Sequence, residues 1–350
     1  MATPAAVDVD SPPAAESPAV GARPGGRWWA WLLAAAAAAY FYIAPIMLLD
    51  SFQRTLATVF MFAALAQGWN VIGGFTGYPS FGQHAFFGLG GYTVAVLMAK
   101  ARWSFWPSLP VAIVFGALFA LLVGMPVLRL RGHYFAIATL GVAEGLREIV
   151  SNLSSITGGG AGITVPAVGA LATTKYPGNT AFYYLFLTLA IVSTLIVWVI
   201  ARSRFGYALR AIHQDEEGAA AMGINTTRAK TAAFMISGAI TSTAGALYAF
   251  QQVTVYPDNI FSVSEFTVLP VVMAVIGGTG TVLGPLGGGV ALAFLSEWLR
   301  RHYTDLHIFI FGAIIMVGVI FLPEGAANSL RVIRTRRRLP FLENVRRYRL

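Results

Sequence analysis

The sequence predicts an all-α, polytopic membrane protein of about ten transmembrane or re-entrant helices. Three observations predict it. Charged residues make up 11% of the 350-residue chain and hydrophobic ones 57%, where a soluble domain carries about 25% charge. Mean hydropathy is +0.67. Uncharged apolar runs recur along the chain, many near the ~20 residues that a bilayer span needs. Spans and tails together leave no room for a soluble catalytic domain. Cysteine is absent, which excludes a disulfide framework, a thiol nucleophile and a Cys-ligated metal.

The elements follow in order. Residues 1–27 are rich in Ala and Pro, lack periodicity, and read as a disordered tail. Arg23 and Arg27 precede a first span at 28–49. Its length fits an uncleaved helix better than a signal peptide, and the positive charge ahead of it places the N-terminus in the cytoplasm. Further spans are expected at roughly 55–73, 79–99, 105–128, 133–153, 181–201, 228–250, 266–283, 286–299 and 306–322, within a membrane domain at 28–323. An even count returns the tail 324–350 to the cytoplasm. From Arg331 to Arg349 eight arginines face one acid, Glu343, a composition that suits anionic lipid headgroups better than nucleic acid. Arg129, Arg131 and the polar loop 202–226 also fall inside. Lys100, Arg102, Arg300 and Arg301 fall outside, against the charge rule, so some spans are read as re-entrant.

Most of the 37 glycines are explained by close helix packing in lipid. Two clusters need more. One runs Gly73-Gly74-Phe75-Thr76-Gly77-Tyr78-Pro79-Ser80-Phe81-Gly82-Gln83-His84. The other runs Gly277-Gly278-Thr279-Gly280-Thr281-Val282-Leu283-Gly284-Pro285. Each interrupts an apolar stretch, in opposite halves of the chain, which points to discontinuous helices around a pathway or to two tight surface loops. Their similarity raises an internal repeat. Gly77, Ser80, Gly82, His84, Gly280 and Gly284 are the pathway candidates. A half-helix starting near Ser80 would aim free N–H groups at a passing carboxylate, with Phe81, Phe86 and Phe87 beside the apolar part. His84 reads either as a substrate contact or as a hydrogen-bonded packing residue.

Within loop 202–226, residues 206–222 can form one short helix. At 100° per residue, Leu209, Ile212, Glu216, Ala219 and Ala220 share a face, while Arg210, Gln214 and Glu217 share another. Gly223 and Asn225 mark its end. Such a helix docks into a protein groove or lies at an interface. Glu144, Arg147 and Glu148 form an intramembrane polar cluster, either functional or a self-paired structural group. His133, His213, His302 and His307 have no metal-binding spacing.

The order of these segments resembles the permeases of the branched-chain amino acid ABC transporter family, in the LivM-like branch. The resemblance is carried by Gly68–Gly82, Ala85–Tyr92, Leu130–Gly141, Ile156–Gly159, Gly206–Gly223 and Gly277–Gly289, over about residues 55–323. The loop is similar to the coupling motif of such permeases, a glutamate six residues before a glycine. Glu217 and Gly223 have that spacing, with Gly218 departing from the usual alanine, whereas helical phasing favours Glu216. Arg210, Asp215, Glu216, Glu217 and Gly223 are thus the ATPase-coupling candidates. The resemblance implies a type II ABC importer-like fold and a non-catalytic permease in the bacterial plasma membrane, with 202–226 as its coupling loop. It also implies a second related permease, two ATPase subunits that bind ATP and Mg, and an extracytoplasmic solute-binding protein. The cargo would be branched-chain amino acids, or urea, short amides or other amino acids. The chain itself lacks a phosphate-binding G-x-x-x-x-G-K-[ST]. An ion-coupled secondary transporter or channel is the rival reading. An intramembrane enzyme is a weaker one, because no G-x-S-x-G or H-E-x-x-H is present.

Overall fold

The computed structural model describes residues 49–166, 176–303, 306–321, 325 and 326. The expected tails and first span lie outside these residues, apart from Leu49 and the pair 325 and 326. Within them, each remaining expected span is met by a helix. These are α1 (Asp50–Trp69), α2 (Gln83–Ala99), α3 (Phe105–Val127), α4 (His133–Asn152), α5 (Ser154–Thr157), α6 (Gly178–Arg202), α7 (Arg204–Gln214), α8 (Glu216–Ala221), α9 (Thr226–Gln252), α10 (Pro257–Ile260), α11 (Leu269–Gly277), α12 (Leu283–His302) and α13 (His307–Phe321). Among the described residues, five stretches are long and apolar enough to cross a membrane: Asp50–Gly74, Phe105–Val127, Gly178–Arg202, Thr226–Gln252 and Pro257–Gly277. Among the described residues the architecture is all-α save one two-residue pairing. Strand β1 (Ile163–Thr164) lies antiparallel to β2 (Thr254–Val255), with Ile163 opposite Val255.

Both Gly-rich clusters break the helical run as expected. Helix α1 passes without interruption into a π-helical turn, Asn70–Gly74. Side chains explain the widened turn. A Cβ at Gly73 would lie 2.4 Å from the Trp69 ring, and one at Gly74 would lie 2.0 Å from Asn70 Oδ1. The two glycines thus make room for these side chains to fold over the turn, and the Trp69 indole N–H reaches Ser80 O at 2.9 Å. A second π-helical turn, Ser264–Val268, leads into α11. The second break, 278–282, starts five residues before the expected end of its span at 283.

Helix α9 is the central element and packs against α2 and α3, while α1 packs on α6 and α12. Close approach of α2 and α9 is set by small residues. A Cβ at Gly90 would sit 2.0 Å from Ser242 O, and one at Gly245 would sit 1.9 Å from Phe87 O. Gln83 Oε1 accepts from Thr241 Oγ1 at 2.9 Å, and Ser242 Oγ donates to Ala112 O at 2.7 Å. Small residues and polar cross-links of this kind hold helices together where lipid removes the hydrophobic drive.

Candidate functional site

The loop after α6 folds as two helices rather than one over 206–222. Ser203 Oγ accepts from the Gly206 N–H at 3.1 Å and caps α7. Asp215 then turns extended, with φ −157°, and its Oδ1 accepts from the Glu217 N–H at 3.0 Å to cap α8. Asp215 prefers the cap to a helix interior, since its short side chain competes for backbone N–H groups. The break re-aims α8. Leu209, Ile212 and Ala219 remain buried as the phasing predicted, but Ala220 is exposed. Gly223, at φ +86°, ends α8, and Asn225 Oδ1 caps α9 through the Arg228 N–H at 2.9 Å.

Glu216 and Glu217 diverge. The Glu216 side chain is 17% exposed and points into the permease body, where Lys230 Nζ donates to its Oε1 at 2.6 Å. The Tyr78 hydroxyl donates to Oε2. Lys230 also donates to Tyr78 Oη at 3.0 Å and to Leu128 O at 3.1 Å, so all three ammonium hydrogens have acceptors. Burial alone would raise the Glu216 carboxyl. The hydrogen bonds from Lys230 and Tyr78, and the charges of Lys230 and Arg131, instead hold it below the usual carboxylate range. The groove that receives Glu216 is therefore within this chain. Glu217 is 77% exposed and pairs with exposed Arg131 at 2.7 Å.

Helix α7 rests on the first Gly-rich break. His213 Nδ1 lies 3.2 Å from Gly74 O. A Cβ at Gly77, where φ is +73°, would meet the His213 ring at 3.0 Å. The Arg210 guanidinium sits 5.3 Å from the Phe75 ring centroid. The first break in turn touches the second. Asn70 Oδ1 accepts from the Gly280 N–H at 2.9 Å, and Asn70 Nδ2 donates to Thr281 O at 2.9 Å. Gln67 Nε2 donates to Val282 O at 2.7 Å. A Cβ at Gly74 would lie 2.6 Å from Gly280 N, while Thr281 Oγ1 accepts from the Gly284 N–H at 3.1 Å. One connected set of contacts thus runs from α7 and α8 through residues 74–78 and Asn70 to residues 280–284.

The other pathway candidates lie on the α4 side of the first break. The expected half-helix starts at Gln83, not near Ser80, and two donors at and just before its first turn are engaged by other segments. Thr139 Oγ1 accepts from the Phe81 N–H at 3.0 Å, and Thr267 Oγ1 accepts from the His84 N–H at 2.9 Å. Ser80 is buried, and a Cβ at Gly82 would lie 2.6 Å from Thr139 O. Phe86 and Phe87 are buried; Phe86 meets Phe234 edge-on, and Phe87 stacks on Phe266. In this conformation the segment is packed rather than open to a carboxylate. His84 is a hydrogen-bonded residue, its Nδ1 2.9 Å from Thr267 Oγ1. Arg147 pairs with Glu144 at 2.8 Å and Glu148 at 3.7 Å, the expected self-paired cluster, and also with Asp258 at 2.9 Å.

Sequence reasoning missed Asn70, Tyr78, Lys230, Asp258 and Thr267 as interacting partners. Lys230 carried a usable signal. It is one of three lysines in the chain and lies in an apolar stretch, where an ammonium needs partners.

The family profile described as branched-chain amino acid transport system, permease component, matches residues 51–319. A high-affinity branched-chain amino acid transport system permease protein, LivM, of Salmonella typhimurium is 31% identical over 300 residues, 79% of this chain and 70% of that protein. The Escherichia coli LivM protein is similar to the same extent. The LivH permease protein of the same Salmonella transport system name is 24% identical over 286 residues, 75% of this chain and 90% of that protein.

Proposed function

The chain belongs to the branched-chain amino acid transport permease family, and on that premise we propose that it is the LivM-like membrane subunit of an ATP-driven importer. Its cargo is a branched-chain amino acid or a related small polar solute such as urea or a short amide. It works in the bacterial plasma membrane with both termini in the cytoplasm. Its partners are a second, LivH-like permease, two ATPase subunits that hold ATP and Mg, and an extracytoplasmic solute-binding protein.

The observation that carries this reading is the contact of α7 and α8 with the first Gly-rich break. Exposed Glu217 and the α8 end at Gly223 face outward from the chain, where an ATPase subunit would dock. Glu216, His213 and Arg210 face inward, onto residues 74–78. A push on the loop is thereby delivered to a segment whose glycines allow a second backbone arrangement. ATP supplies the work in the partner subunits, and this chain converts loop displacement into movement of broken helices. The test is reconstitution with the partner subunits in proteoliposomes. Leucine uptake should require ATP and be blocked by vanadate. Uptake that persists without the ATPase subunits would favour ion-coupled transport instead.

A further inference from the structure

We infer that Glu144, backed by His84, forms a receiving site for the ammonium group of the transported solute. The inference rests on the amino-acid reading above and names the part of the cargo that this chain handles.

Four observations meet there. Glu144 lies eleven residues into α4, about 16 Å along its axis from the first residue, yet its side chain is 39% exposed. Around it α4 presents a face that the described residues leave open. Ile137 is exposed, and a Cβ at Gly141 or Gly145 would meet no atom of the described residues within 4 Å. Second, the cluster is unbalanced in charge. Glu144, Glu148 and Asp258 share one guanidinium, that of Arg147. Three carboxylates against one fixed cation leave a negative excess that attracts a further cation and repels a free carboxylate. Third, His84 is fully buried and held at the first turn of α2 by Thr267. Its Nε2 has no hydrogen-bond partner among the described residues and lies 3.6 Å from Glu144 Oε1, beyond hydrogen-bond range. Fourth, the site adjoins the first Gly-rich break. The Phe81 N–H is bound by Thr139 on α4, and Gly82 abuts the Thr139 carbonyl.

The chemistry selects a primary ammonium. Glu144 supplies an anionic acceptor, and Nε2 supplies a second polar atom when the ring approaches. Arg147 is already engaged by two carboxylates at hydrogen-bond distance, so it does not offer a free anion site. An aliphatic side chain would lie along Ile137 and the glycines. Because the site touches residues 81–84, movement of the break changes the spacing between His84 and Glu144, and so couples ammonium release to the loop.

The experiment uses the reconstituted complex and two independent readouts. Leucine uptake is compared between wild type and Glu144→Gln, with assembly followed by co-purification. The loss should be about tenfold or more, the scale of a charged hydrogen bond removed, with assembly unchanged. Separately, Gly145→Cys provides a lone thiol in a chain without cysteine. A cationic methanethiosulfonate should modify it faster than an anionic one. Leucine should slow that modification, 4-methylpentanoate should not, and Glu144→Gln should abolish the leucine protection and weaken the preference for the cationic reagent. Wild-type leucine uptake with equal uptake in Glu144→Gln overturns the inference and leaves the proposed function standing. Absence of wild-type leucine uptake counts against that function, and the thiol readout then decides alone: equal rates with the two reagents overturn the inference. If Glu144→Gln fails to assemble, Gly145→Cys with native Glu144 settles the matter in the same way.

Discussion

Lys230 Nζ and Glu216 Oε1 lie 2.6 Å apart, joining the N-terminal part of a long membrane helix to a six-residue helix of the adjoining loop. The lysine side chain is almost wholly buried, so the pair functions as a unit. Removing one partner strands the other charge in a poorly solvated place, whereas removing both relieves the cost.

Lys230→Met should therefore destabilise the detergent-purified protein by about 3 kcal/mol, near the lower end for a broken buried pair. The double variant Lys230→Met, Glu216→Gln should recover part of that loss. Thermal unfolding of the four proteins completes the cycle. Additive losses would show that the two groups are independent.

The same pair sets an acid limit. The Glu216 carboxyl is held below its unfolded value of 4.5. A depressed carboxyl contributes stability above the unfolded value and loses it as pH falls through the folded one. Melting temperature should thus be level in this respect above about pH 6 and decline below pH 4.5, with a smaller decline in Glu216→Gln. Identical pH profiles for the two proteins would exclude Glu216 from the acid response.

Glu217→Lys tests the outward side of α8. Its pair with Arg131 is solvent-exposed and contributes little to folding, so the melting temperature should barely change. Association with the ATPase subunits should weaken. Gly223→Arg places a side chain at φ +86°, a strain of roughly 1–2 kcal/mol, and should weaken it too. Unchanged co-purification and unchanged uptake in both variants would reject this loop as the docking site.

Asn70→Leu tests the link between the breaks. It leaves the Gly280 N–H and the Thr281 carbonyl without the side-chain partner each has now, at about 1–3 kcal/mol for each group left unsatisfied. Uptake should fall while ATPase association persists, since α8 is untouched. Normal uptake would detach the second break from the transmission route.

Orientation is checked with introduced cysteines. Asp215→Cys should react with an impermeant thiol reagent only in inverted vesicles, and Ala161→Cys only from outside. Reaction of both from one side would overturn the alternating topology.

Helix positions were legible because period and length are local properties. The ends of α3 and α4 fall within a residue of the expected 105–128 and 133–153. The helix end at Gly223 and Asn225 was readable for the same reason. The Asp215 kink was less so, since a smooth 100° wheel hides a capping residue inside a run. The site itself was half legible. Phasing singled out Glu216 over Glu217 as the inward acid, and it is the less exposed of the two, but its partners Lys230 and Tyr78 lie 14 and 138 residues away. Asn70 and Thr281 are 211 residues apart. No periodicity within one helix reports such a pairing. The expected carboxylate cradle at Ser80 left out Thr139 and Thr267, which lie on other segments and accept from the Phe81 and His84 N–H groups.

The Asn70 bridge also constrains how the chain is made. Its donor and acceptor partners, the Gly280 N–H and the Thr281 carbonyl, are 210 and 211 residues further on. At a synthesis rate of about 5–20 residues per second, they emerge roughly 10–40 s after Asn70. During that interval a carboxamide destined for burial has no native partner, and hydrocarbon offers it none. The early helices must then wait in a wet or chaperoned setting until the late ones arrive. Nascent chains stopped before residue 280 should accordingly be the form most open to membrane quality-control proteolysis.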